Sequence, residues 1–412
     1  MPARWWFVPA LNGMFLRVHQ YFLPVLAALL SFAVNAKDPA VLQPPADALA
    51  PLIADFDQYY AGKLEEHAIP GAAYAIVKGD KIVAAAGFGV RQLGSIEPVD
   101  AYTVFRIASV SKTFAGSLTS LLATEGHFSL DDKLVDYVPG FSFKSKKFNT
   151  QLKLQHIMSQ SSGVMPNAYD NLIEANVPLE KILPQFNKID PLCTPGKCYG
   201  YQNVLFSLID QVMQKSTGKA YAELLRERIF TPLQLPTASV GVDDFLNTEN
   251  RAMPHVRARG KWYPVKVAES YYRFSPAAGV NASAIDLGYW LIAQLGHNSD
   301  VIPDNVLATV SEKRVKTRRD LRRKEWRRYL TDAHYGLGWR VYQFGQDELM
   351  YHGGWVQGFR AEIAYSREHQ LGLVMLMNAE SNLINELGTY FWSGMLSAIR
   401  KQQREQPPAI AD

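Results

Sequence analysis

A serine and a lysine three residues apart, Ser109 and Lys112, lie within Phe105-Arg106-Ile107-Ala108-Ser109-Val110-Ser111-Lys112-Thr113-Phe114. Apolar residues follow at helical spacing (Phe114, Leu118, Leu121, Leu122), and Gly126 closes the run. The pattern predicts a buried helix with Ser109 in its first turn. Residues three apart share a helix face, so the Lys112 amine falls beside the Ser109 hydroxyl. A serine is a weak nucleophile until a neighbouring base takes its proton. Lys112 qualifies as that base where burial or a nearby cation lowers its pKa. The helix N-terminus offers N–H groups and partial positive charge to a developing oxyanion. Taken alone, S-x-x-K specifies two common residues, and it gains meaning only from partners in the right order.

The chain that must position this pair has 412 residues, 48% of them hydrophobic and 20% charged. That composition is of an ordinary globular protein and argues against wholesale disorder. A formal charge of +4 is too small to argue for nucleic acid, and no nucleic-acid partner is expected. Arg17 precedes an apolar run from Tyr21 to Ala33, and Val34-Asn35-Ala36 offers small residues before Lys37. Residues 1–36 therefore read as a signal peptide of an exported, periplasmic protein, with an uncleaved N-terminal anchor as the alternative. Met14 gives a more usual start to such a leader than Met1.

The two cysteines, Cys193 and Cys198, enclose Thr194-Pro195-Gly196-Lys197. In an exported protein this reads as a small disulfide loop over a Pro-Gly turn, with a pair of free thiols as the alternative. The nine histidines are scattered without H-E-x-x-H or H-x-H spacing, so no metal and no cofactor are expected.

Periodicity predicts a helix over Leu52–Leu64 and a hairpin of strands Gly71–Lys78 and Lys81–Gly87 around Gly79-Asp80. A mainly helical stretch follows, including one helix opened by Asn203 and closed by Gly218. Ser283–Leu295 reads as a helix capped by Ser283 and Asp286. Short antiparallel strands are predicted at Gly338–Phe344, Glu348–His352, Phe359–Ser366 and Gly372–Met377, then a last helix from about Leu383 to Arg400. Strands, helices, strands, then a helix describe an α/β (α+β) fold. One antiparallel sheet is built from both ends of the chain (about 50–125 and 270–403), and an all-α lobe is inserted at about 126–269. The segment Lys313–Arg328 carries ten basic residues against Asp320 and Glu325. It reads either as a solvated face or as a contact for an anionic envelope surface, with Trp326 as an interfacial anchor.

Downstream of Ser109 and Lys112 come Tyr201-Gln202-Asn203 and then His352-Gly353-Gly354, followed by Trp355-Val356-Gln357-Gly358-Phe359. With these, and with His156-Ile157-Met158-Ser159-Gln160-Ser161-Ser162-Gly163 and Tyr335-Gly336-Leu337-Gly338-Trp339, the chain resembles the serine β-lactamase and penicillin-binding-protein superfamily over roughly Ile53 to Arg400. The branch it is most similar to is the class C β-lactamase one, which includes D-amino-acid peptidases and esterases and orders its motifs S-x-x-K, Y-x-N, then K-T-G or H-x-G.

The resemblance implies roles. Ser109 is acylated. Lys112 shares the proton work. Tyr201, its phenolate favoured by nearby cations, is the base or proton shuttle. Asn203 orients the substrate amide and Lys112. The N–H groups of Ser109 and Trp355 form an oxyanion hole. His352, with Gly353 and Gly354, lines the opposite wall where many relatives carry lysine. A histidine is mostly neutral above about pH 6.5, so it holds a substrate carboxylate less well than lysine. No E-x-x-L-N precedes His352 and no G-x-S-x-G is present, which speaks against class A β-lactamase and α/β-hydrolase chemistry. The expectation is a serine hydrolase, a monomer taking a small-molecule or peptide substrate and cleaving amide-type bonds. An esterase, or a penicillin-binding sensor that acylates without turnover, remains open.

Overall fold

The computed structural model describes residues 49–405, so the expected signal peptide and the Met14 start lie outside the described residues. Eight strands form one antiparallel sheet: β1 (Gly71–Lys78), β2 (Lys81–Gly89), β3 (Val315–Lys316), β4 (Leu330–Tyr335), β5 (Arg340–Phe344), β6 (Asp347–Val356), β7 (Phe359–Ser366) and β8 (Leu371–Met377). Their order is β2-β1-β8-β7-β6-β5-β4-β3, so β1 from the N-terminal part pairs directly with β8 from the C-terminal part. Sheet assembly from both ends of the chain is as the sequence predicts.

Both faces of the central strands are covered, which is why β1 and β8 read as continuous apolar runs rather than alternating ones. Side chains still alternate by face. Tyr74 and Ile76 of β1 join Leu373 and Met375 of β8 under helix α1 (Ala50–Glu66) and helix α4 (Leu383–Glu405), where Phe56, Tyr60, Phe391 and Trp392 pack. Ala73, Ala75, Val374 and Leu376 face the other way, against helix α2 (Ser111–Thr124) and helix α3 (Ala284–Gln294). Helix α3 begins with the predicted capping box: Ser283 Oγ accepts from Asp286 N at 3.1 Å, and Asp286 Oδ2 accepts from Ser283 N at 2.8 Å.

Differences from the predicted elements have local causes. The inserted lobe is mainly helical but not all-α. Strands His255–Ala258 and Lys261–Pro264 form a hairpin whose two turn residues, Arg259 and Gly260, both have positive φ (47° and 79°). That geometry suits a tight two-residue turn. The helix opened by Asn203 breaks at Leu208 into Asn203–Ser207 and Ile209–Thr217, and Gly218 closes it in the left-handed conformation. The basic segment is not a helix. It supplies β3 at the sheet edge and two 3-10 turns, Asp320–Arg322 and Trp326–Arg328. Trp326 is fully buried against Tyr342, Phe344 and Tyr351, so it is a core residue and not an interfacial anchor. Among the described residues no helix is long and apolar enough to cross a membrane.

Candidate active site

Ser109 lies in a 3-10 turn, Ala108–Val110, that leads straight into α2. The turn is strained: Ala108 has φ +50°, where a Cβ is disfavoured. Strain of this kind persists only where surrounding structure enforces it, and it clusters at functional sites. Here β6 does the enforcing. A Cβ at Gly354 would stand 2.2 Å from the Ile107 carbonyl oxygen, so only glycine lets the strand lie against the turn that carries Ser109. A second close approach fixes α2 from the other side: a Cβ at Gly338 (φ +73°) would stand 2.0 Å from the Lys112 carbonyl oxygen.

Lys112 is fully buried. Its Nζ donates to Asn203 Oδ1 at 2.8 Å and to the Ala277 carbonyl at 3.0 Å, and Ser109 Oγ lies at 3.4 Å. Burial holds its pKa well below that of a free lysine; Asp170 opposes the shift and Arg340 adds to it. Asn203 in turn donates from Nδ2 to Asp170 Oδ2 at 2.8 Å, so its amide bridges the lysine to a carboxylate. Asp170 Oδ1 is buried without a hydrogen-bond partner, and burial raises that carboxyl's pKa.

Tyr201 borders the same cavity as Ser109, and the Ser109 hydroxyl pulls the phenol's pKa down. Lys112 Nζ stands 4.7 Å and the Arg340 guanidinium 5.6 Å from its ring. Despite these cations the phenol's pKa is raised, because burial outweighs Arg340. The expected resting phenolate is therefore corrected to a neutral phenol. Its backbone is clamped: Tyr201 O accepts from Asn167 N at 2.7 Å, and Gln202 N donates to Gln160 Oε1 at 2.6 Å. Cys193 and Cys198 form the disulfide, and its loop is stitched to the same segment through Gly196 N to Ser161 O (2.7 Å) and Gly200 N to Gln160 O (2.8 Å).

His352 is not on the cavity wall. In β6 it shares the α2-facing side with Gly354, and it is buried with both ring nitrogens engaged: Nε2 with Tyr335 Oη at 3.0 Å, Nδ1 with Gly353 O at 2.9 Å. Burial, Arg340 and Lys112 all push its pKa far down, so it is neutral and braces the wall from behind. Gly353, Gly354 and Trp355 do border the cavity. Trp355 is 59% exposed; its indole donates to Glu380 at 2.9 Å, and Arg360 stacks on the ring at 4.5 Å.

These parts open on one cavity of about 1210 Å³, lined by Ser109, Tyr201, Asn203, Asp170, Gly354 and Trp355 among others. The sequence reading missed Asp170, Tyr199 and Arg340. Arg340 donates to Tyr199 Oη at 2.9 Å and Asp320 Oδ2 at 2.8 Å. Its position just after Tyr335-Gly336-Leu337-Gly338-Trp339 was a usable signal; for Asp170 there was none. The group of potential metal ligands among the described residues, Asp347, Glu368 and His369, is elsewhere, and Asp347 already takes His369 at 2.7 Å and the Arg400 guanidinium.

The chain is similar to several known proteins. Protein flp of Staphylococcus aureus (strain N315) is 23% identical over 336 residues, 80% of this chain and 64% of that protein, so the chain spans under two thirds of that relative's length. Penicillin-binding protein 4 of Amycolatopsis lactamdurans is 27% identical over 171 residues, 41% of this chain and 44% of that one. The octameric penicillin-binding protein homologue from Pyrococcus abyssi shares the fold, with a TM-score of 0.76 at 21% identity over 84% of this chain and 77% of that chain. A family model described as Beta-lactamase matches residues 56–387, and the chain belongs to that family.

Proposed function

We propose that this protein is an exported serine hydrolase that works through an acyl-enzyme on Ser109 and cleaves amide-type bonds, in a β-lactam or a D-amino-acid peptide. The observation that carries the reading is the surroundings of Lys112. Asn203 Oδ1 and Ala277 O are acceptors and occupy two of its N–H groups, while the third direction meets Ser109 Oγ. In the neutral amine that burial favours, the direction toward Ser109 holds the lone pair. Lys112 then takes the hydroxyl proton as Ser109 attacks the carbonyl carbon. The N–H groups of Ser109 and Trp355 receive the oxyanion. Tyr201, a neutral phenol on the same cavity as Ser109, passes a proton to the leaving group and recovers it from Lys112. Water repeats the cycle in reverse and frees the acid. Export rests on the pattern of residues 17–36 and accords with the disulfide.

Hydrolysis of esters is the second reading, favoured by His352. A neutral, buried histidine supplies no cation for a substrate carboxylate where many relatives have lysine. Mass spectrometry after exposure to a penicillin or a fluorophosphonate tests the shared claim: an adduct is expected on Ser109 and none on Ser109→Ala. Absence of any adduct refutes it. Nitrocefin, a D-Ala-D-Ala peptide and a short p-nitrophenyl ester, assayed on one preparation, separate amidase from esterase. A stable adduct without turnover identifies a sensor instead.

A further inference from the structure

Lys197, Arg318 and Arg319 border the same cavity as Ser109, are exposed, and form no ion pair with a carboxylate among the described residues. Their neighbours are paired. Lys316 binds Asp332 at 2.9 Å, Arg340 binds Asp320 at 2.8 Å, Lys313 binds Glu348 at 2.8 Å, and Lys324 lies 3.3 Å from Glu325. The backbone that carries two of the three unpaired cations is anchored. Arg318 and Arg319 project between two buried residues, Thr317, whose N–H donates to Ala333 O at 2.8 Å, and Asp320, whose N–H donates to Thr317 O at 3.0 Å. Beyond them Arg323 donates to Tyr351 Oη at 2.8 Å and Tyr342 Oη at 3.1 Å, and Trp326 is fully buried. Arg340 bridges Tyr199, two residues after Lys197, at 2.9 Å and Asp320, next to Arg319, at 2.8 Å, so the cysteine loop and the basic segment meet at the cavity. Asp170 and Glu174 make the cavity acidic elsewhere, and Glu174 is near Tyr271 (3.4 Å) rather than any of these cations.

We propose that Lys197, Arg318 and Arg319 form a recognition site for an anionic group of the substrate, a carboxylate or a phosphate carried away from the reacting carbonyl. Preferred substrates are then anionic acyl donors. This assigns the basic segment to substrate selection inside the cavity instead of to an external surface, and it rests on Ser109 being the nucleophile. Exposed pairs are individually weak and screened by salt, so selectivity comes from two or three acting together.

Two esters of p-nitrophenol decide it, the neutral acetate and the negatively charged monoester of glutaric acid, assayed on the full chain. In Arg318→Gln/Arg319→Gln, and again with Lys197→Gln added, kcat/KM for the charged ester is expected to fall about tenfold and that for acetate to stay within about twofold. High salt should erase the difference. Inhibition of the charged ester by inorganic phosphate more than by acetate identifies phosphate as the better ligand; the reverse identifies carboxylate. Equal loss on both esters, or no loss on the charged one, overturns the proposal. So does a variant that stops binding phosphatidylglycerol vesicles while its ester selectivity is unchanged, because the patch is then a membrane contact. If acetate is not hydrolysed and Ser109 is not acylated, the serine-hydrolase reading fails. The site is then judged by whether inorganic phosphate raises the unfolding temperature of the wild type and not of the triple variant.

Discussion

Asn203 holds Lys112 by a 2.8 Å hydrogen bond to its Oδ1 while its own Nδ2 donates to Asp170, so the lysine faces an amide dipole instead of a full negative charge. The arrangement keeps an anion one residue removed from the amine that has to remain neutral. Asn203→Asp replaces the amide with a carboxylate in contact with Lys112, which favours the protonated amine. The sign follows: Lys112 is depressed in the folded protein, and a contacting anion moves it back up. The acidic limb of the kcat/KM profile for acylation should therefore shift to higher pH, with a loss at neutral pH of roughly tenfold to a hundredfold, within the range of general-base catalysis. A profile unmoved by Asn203→Asp would remove Lys112 from the role of base.

Glu362 gives a second pH-dependent quantity, in stability. Its register partner across the β6–β7 ladder is Gly353, and it is buried with Oε2 accepting from Tyr351 Oη at 2.9 Å. Burial raises its pKa from the ordinary carboxylate value to about 7, with Arg323 opposing. A carboxyl with a raised folded pKa contributes stability that is fully present below its unfolded pKa and is lost as pH rises through the folded one. The window therefore runs from the ordinary carboxylate range to about 7. Glu362→Gln should abolish that slope and leave the protein more stable than wild type at pH 8, on the order of 3 kcal/mol at most. Thermal unfolding measured from pH 4 to 8 on both proteins checks it; parallel curves would show that Glu362 does not titrate there.

The Ser109–Lys112 pair was legible because two physical signals coincide on it. Helical spacing put Ser109 and Lys112 on one face, and a closing glycine bounded the helix. Tyr201 and Asn203 were legible by order of motifs. His352 was misjudged for a reason visible in β6. Leu349, Met350 and Tyr351 ahead of it are buried on both faces, so they carry no alternation to say which side chains meet the cavity, and His352 alternates to the buried side. Trp326 was misjudged because charge dominates the composition of its segment, while its burial depends on Tyr342, Phe344 and Tyr351, which follow later in the chain. Asp170 opens a five-residue helix after Tyr169, whose φ is +68°, and nothing local marks it as Asn203's partner. The hairpin at His255–Pro264 was hidden because only four residues make each strand.

Gly354 links the sheet to the turn that carries Ser109 through a contact no side chain can occupy. In Gly354→Ala the new Cβ must displace Ile107 O or the strand itself, since the gap is 2.2 Å. The backbone that moves carries Ser109 on one side and Trp355 N–H on the other. The acylation rate should fall at least about a hundredfold, comparable with loss of an oxyanion donor. The cost in stability should be of overpacking size, about 1–3 kcal/mol. Stopped-flow acylation alongside chemical denaturation separates the two, and full activity in Gly354→Ala would show that the turn is not held by β6.

The disulfide loop should matter more to rate than to stability. It closes only five residues of sequence separation, so the unfolded-chain entropy it removes is small for a disulfide. Its contacts are nevertheless specific. Gly196 and Gly200 bond to Ser161 and Gln160, Gln160 bonds Gln202, and Tyr201 lies between Gly200 and Gln202. Releasing the loop frees the phenol that the proposed mechanism needs beside Ser109. Cys193→Ser with Cys198→Ser is expected to lower kcat about tenfold, a fraction of the general acid–base contribution, while the unfolding temperature drops by only a few degrees. Reduction of the wild type with a thiol should reproduce the kinetic effect and reoxidation should reverse it. An intact rate after both treatments would reduce the loop to a local staple and leave Gln160 and Asn167 to hold Tyr201.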